Sequence, residues 1–87
     1  MDKKQLQTLL ISKNIRSDAY SFYSSLRNEA YCIDEKNGIW QVYYSERGTA
    51  WSIMKFDTEA EACDYFYNWI TSDGSVMRKA SKNTWVY

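Results

Sequence analysis

Glu46, Arg47 and Gly48 stand side by side at the end of the aromatic run Trp40-Gln41-Val42-Tyr43-Tyr44. Acid, base and flexible glycine in one corner could position a substrate or complete a nuclease site. Neighbouring strand residues point to opposite faces, however, so Glu46 and Arg47 do not converge on one substrate. Glycine permits the positive φ of a turn, and the flanking charges solubilise its rim. The corner reads as a turn. The 87 residues include no histidine, which removes the commonest general base, the commonest zinc ligand and every Ser–His or Cys–His nucleophile arrangement. Carboxylate or lysine chemistry remains, without a constellation to carry it. The expectation is a protein that is not an enzyme, with no cofactor, no metal and no small-molecule substrate.

The next group able to do chemistry is acidic. Eleven basic and eleven acidic residues cancel, but they are segregated. Asp57, Glu59, Glu61, Asp64 and Asp73 follow one another without a basic residue, and Arg78, Lys79 and Lys82 come after them without an acid. Glu59 and Glu61 fall in the first turn of a helix, where negative charge gains ~0.3–1 kcal/mol from the dipole. That reasoning covers Asp64 less well and Asp73 not at all. An acidic recognition patch for a basic partner and a plain solvated face both fit.

Aromatic residues form the third group. Eight tyrosines and four tryptophans exceed what so short a chain needs for a core. Strict alternation places Tyr43 and Trp51, beside Ile53, on the sheet face away from the helices. Tyrosine and tryptophan there suit a protein interface. They also suit stacking against single-stranded nucleic acid, but only the tail supplies the basic surroundings that such binding needs. A small nucleic-acid-binding or regulatory module, using the aromatic sheet and the basic tail, is the alternative reading.

The elements that must position these groups follow from pattern. Length and a 45% hydrophobic composition indicate one folded domain over residues 1–87, with 74–87 as a flexible or accessory tail. Asp2 and Gln5 make a capping box for a helix over 2–13 with Leu6, Leu9 and Leu10 as its stripe, stopped at Asn14. Residues 15–28 fit either a short extended piece or a turn of helix. From Glu29 the period is two. Three strands follow, joined by turns at Lys36–Gly38 and Glu46–Gly48. Thr58 then caps a second helix with Glu61, whose apolar arc is Ala62, Cys63, Phe66, Trp69 and Ile70. Its opposite side collects Glu61, Asp64, Tyr65 and Asn68. The order αβββα predicts an α+β fold: a three-stranded antiparallel sheet, four-stranded if Trp85–Tyr87 pairs, with both helices on one face.

No apolar run approaches the ~20 residues of a membrane span, and no secretory signal is visible at the N-terminus. Cys32 and Cys63 have neither metal nor redox spacing and read as buried, reduced thiols. A cytoplasmic protein without membrane contact is expected.

The string Trp40-Gln41-Val42-Tyr43-Tyr44-Ser45-Glu46-Arg47-Gly48, followed by Phe56 and Glu59-Ala60-Glu61-Ala62-Cys63, resembles a pattern of small bacterial immunity proteins. These accompany polymorphic toxins, including those of contact-dependent growth inhibition systems. The resemblance runs from about Glu29 to Ile70, with Thr58 where serine would stand. It implies a non-enzymatic cytoplasmic protein that binds a cognate toxin C-terminal domain, often a nuclease, and occludes its active site. From the residues themselves, the partner surface is expected at Glu61, Asp64, Tyr65 and Asn68, with Tyr43 and Trp51 beside them.

Overall fold

The computed structural model of the protein describes residues 1–22 and 29–77. Its elements are helix α1 (Lys3–Ser12), strands β1 (Tyr20–Ser21), β2 (Ala30–Lys36), β3 (Ile39–Glu46) and β4 (Thr49–Phe56), and helix α2 (Glu59–Thr71), with short 3-10 turns at Ser17–Ala19 and Gly74–Val76. The fold is α+β, as the residue pattern predicts.

Helix α1 starts where Asp2 and Gln5 cap each other. The Gln5 amide donates to Asp2 Oδ1 at 2.8 Å, and the Asp2 amide donates to Gln5 Oε1 at 2.9 Å. It ends in a Schellman motif, with Asn14 at φ 60°, Ile15 N–H bonded to Leu10 C=O and Asn14 N–H to Ile11 C=O. The following Ile15 and the preceding Leu10 are both buried, the apolar contact that accompanies this stop. At α2 the Glu61 amide donates to Thr58 Oγ1 at 3.2 Å, and the Thr58 hydroxyl donates to Glu61 Oε1 at 3.1 Å.

Both hairpin turns have two residues in the left-handed region: Asn37 and Gly38 at φ 55° and 81°, Arg47 and Gly48 at φ 54° and 78°. Such turns match the right-handed twist of the strands they join. The strands lie in the order β1-β2-β3-β4, with antiparallel β2·β3 and β3·β4 pairs. The sheet is mixed rather than purely antiparallel, because β1 pairs with β2 in parallel, Tyr20 opposite Tyr31 and Ser21 opposite Cys32. Among the described residues the fourth strand is Tyr20–Ser21. Trp85–Tyr87 fall outside the described residues.

Helix α2 packs on β2, β3 and β4, and α1 packs on α2. One core joins Leu6, Leu10, Ile15, Ile33, Val42, Phe66 and Ile70, all essentially without solvent contact. The two helices share an N-terminal end: Glu59 of α2 accepts a 2.8 Å bond from the Lys3 amide of α1, and Lys3 Nζ lies 5.6 Å over the Trp40 ring. At the other end the Arg16 amide donates to Val76 C=O at 2.8 Å, and Ile15 bridges to Met77. Val76 is buried there, so the chain after α2 closes over the bottom of the core.

Candidate functional site

Strand β4 is unlike its neighbours. β2 is buried over Ala30–Asp34, whereas Trp51, Ser52, Ile53, Met54 and Lys55 are all exposed. Trp51, Ile53 and Met54 show 55%, 49% and 42% of their surface to solvent. Among the described residues the strand ends the sheet order, with β3 on one side. Three large apolar residues on an edge strand are the pattern that folds ordinarily avoid.

A bulge decides which face each of them serves. Val42 pairs with Met54 but Tyr44 pairs with Trp51, so Ser52 and Ile53 together stand opposite Tyr43. Ser52 adopts φ 56° to accommodate the extra residue. Simple alternation would put Trp51 with Ile53 on the face away from the helices. The bulge instead puts Trp51 with Met54 and Phe56 on the helix side, where its partner Tyr44 already lies. Tyr44 contacts Tyr31, Tyr31 contacts Trp69, Trp69 contacts Tyr65 and Tyr65 contacts Phe56, with ring centroids 5.0, 4.8, 5.8 and 5.4 Å apart. This aromatic chain fills the angle between α2 and β4. Tyr31 is its buried member, and Tyr44, Tyr65, Trp69 and Phe56 are half-buried.

The residues expected at a partner surface separate accordingly. Glu61, Asp64 and Asn68 are exposed on the outer side of α2. Helical spacing turns Glu61 and Tyr65 toward β4, one turn apart on a shared face. Tyr65 is half-buried, its ring held against Phe56 and Trp69. Trp51 joins this group through the bulge. Tyr43 does not. It is 3% exposed, and its hydroxyl donates to Asp34 Oδ2 at 2.9 Å. The expectation of a surface Tyr43 fails because the face away from the helices is closed there, with Ala30, Cys32 and Ser45 also buried. Burial and the Asp34 carboxylate both hold the Tyr43 hydroxyl protonated, well above the ordinary tyrosine range.

The acids also divide by role. Glu59 is spent on the α1 amide, and the amino group of Met1 lies 3.9 Å from Asp64. Asp73, which the helix dipole could not explain, is structural. It accepts from the Tyr31 hydroxyl at 2.9 Å, from the Ser75 amide at 3.0 Å and from the Ser75 hydroxyl at 2.7 Å. The Ser75 bonds come first among the causes that hold its carboxyl below the usual range. Asp57 and Glu61 remain, flanking the β4 edge with no ion pair among the described residues. On the far side of the sheet an open depression of about 380 Å³ is lined by Lys36, Gln41, Lys55 and Asp57, among others.

Cys32 and Cys63 are both buried, and burial pushes the Cys63 thiol up to about 11. Among the described residues no three Cys, Asp or Glu side chains gather as a metal site, and no helix is long and apolar enough to cross a membrane. Met54, Phe56 and Trp69 belong to the surface between α2 and β4, Met54 exposed and the two rings half-buried, but carry no sequence signal that separates them from core residues. The signal that could have found Trp51's true face is weak: a serine in mid-strand, the one position where a bulge would re-phase the alternation. No protein-family model, no curated protein and no solved structure matches this chain.

Proposed function

We propose that this chain is a non-enzymatic, cytoplasmic immunity protein that binds a cognate bacterial toxin domain, a nuclease, and neutralises it by occluding the active site. The observation that supports this reading best is the exposed run Trp51–Lys55, with two large apolar residues on its helix side beside the acidic ridge of Glu61 and Asp64 on α2. Aromatic anchors next to like-signed charge fit a partner whose own surface is basic, as a nuclease cleft must be to hold phosphate. The charges would speed encounter, and the anchors would slow dissociation. The resemblance of Trp40–Gly48 and Glu59–Cys63 to immunity proteins supports the same conclusion. The stacking-platform alternative loses its central residue, since Tyr43 is buried against Asp34.

The test is whether a gene beside this one encodes a large secreted protein whose C-terminal domain co-purifies with this chain and loses its activity when bound. Reversal of Glu61 and Asp64 to lysine should weaken the complex at least about tenfold at low salt and flatten its salt dependence, with the fold intact by circular dichroism. An unchanged affinity and salt slope would remove the acidic ridge from the interface.

A further inference from the structure

We infer that the partner docks by adding an extended segment to the open edge of β4 as a further strand, with its alternate side chains basic and apolar toward α2. This deepens the proposed function and rests on it for the identity of the partner. Three features of the edge carry the inference. Ile53–Phe56 is a regular run beyond the bulge, still in register with β3 at Met54, Lys55 and Phe56. Among the described residues β4 is the last strand of the sheet and nearly all of it is exposed, so no described strand pairs with its outer backbone groups. An extended segment can satisfy those amides and carbonyls along its length.

Edges are commonly blunted by bulges, lysines or very short strands, and Ser52 and Lys55 are such devices. They protect poorly here, because the bulge turns Trp51 toward the helix side instead of removing it, and Ile53 stays half exposed. A protected edge would carry charge where this one carries tryptophan, isoleucine and methionine.

Charge selects the occupant. On the helix side an added strand meets Met54 and Phe56 with the exposed Glu61 of α2 above them, so its side chains there must be apolar or basic. On the far side it meets Ile53, with Lys55 and Asp57 of opposite charge side by side, which suits apolar groups. A second copy of this chain fits less well. Two-fold pairing of β4 with itself puts both α2 helices on the same face of the joined sheet, so the Glu61 side chains of the two copies share that face with like charge. A basic extended segment meets no such repulsion.

The probe is a blocked hexapeptide of alternating lysine and valine, titrated into the ¹⁵N-labelled protein. Shift changes and slowed amide exchange should concentrate at Ile53–Phe56, with the Trp51 indole and Glu61 also moving. Methylating alternate peptide nitrogens of the probe, or replacing its lysines with glutamates, should weaken binding at least about tenfold. Equal binding of the methylated peptide, shifts confined to other elements, or no binding at all would overturn the inference. Concentration-dependent protection of β4 without peptide would overturn it in favour of a self-paired edge. The same exchange measurement on the complex with the neighbouring toxin domain separates this inference from the functional reading. A tight complex with unprotected β4 amides defeats the docking mode alone. Failure of that domain to bind, with β4 still protected by the peptide, defeats the function alone.

Discussion

Replacing Asp73 with alanine tests whether the chain after α2 is held to the sheet by one carboxylate. Asp73 accepts three hydrogen bonds, from the Tyr31 hydroxyl and from the Ser75 amide and hydroxyl. Loss of the Ser75 bonds costs about 1 kcal/mol, the usual value of a side-chain cap. Loss of the third leaves a tyrosine hydroxyl without its partner, and Tyr31 is buried, which adds about 1–2 kcal/mol. D73A should therefore lose about 2–3 kcal/mol in urea denaturation followed by tryptophan fluorescence, a fall in Tm of order 10 °C or more. Tyr31→Phe removes the hydroxyl and its bond together and should lose only about 1 kcal/mol. In the double variant no hydroxyl is stranded, so the losses should fall short of their sum by about 1 kcal/mol. The pH dependence has two limbs. The Asp73 carboxyl is held below its unfolded value, so its contribution is present above about pH 4 and fades as pH falls through the lower folded value. The Tyr31 hydroxyl is held above its ordinary value, chiefly by burial and then by Asp73, so its contribution is present below about pH 10 and is lost as pH rises beyond. Additive losses within ~0.3 kcal/mol would refute the coupling, whatever the size of each.

Two further outcomes concern the scaffold. Gly48→Ala should lose about 1 kcal/mol by the same denaturation assay. No atom lies within 4 Å of the added Cβ, so the whole effect is the backbone cost at φ 78°; a change below ~0.3 kcal/mol would mean that the turn relaxes freely. The Cys63 thiol, pushed up to about 11 by burial and then by the charge of Glu59, is roughly 0.1% thiolate at pH 8. A thiol reagent should label it only at the rate of unfolding, so labelling within minutes in native buffer would contradict its burial.

How far sequence reasoning reached depended on the range of each interaction. Asp2 with Gln5, Thr58 with Glu61, Asn14, and the glycines of the two turns act within three or four residues. Their outcomes follow from side-chain chemistry and φ preference alone. The apolar arc of α2 was equally readable, because a helix repeats its geometry at every turn and Ala62, Cys63, Phe66 and Ile70 are buried as their spacing requires. The parallel strand Tyr20–Ser21 was not, since two residues cannot show a period. Asp73 looked like a misplaced acid, because its partner Tyr31 lies 42 residues away.

The candidate surface divides along the same line. By itself the sequence determined that Glu61, Asp64 and Asn68 share an exposed side of α2, since helical spacing leaves no alternative once the apolar arc is placed. Only the tertiary structure decided the faces of Tyr43 and Trp51. Alternation tells which residues differ in face, but one inserted residue at Ser52 re-phases everything before it in the strand. Whether a sheet face is open or closed depends on what packs over it. Tyr43 therefore went inside to Asp34, and Trp51 came round to stand with the aromatic chain between α2 and β4.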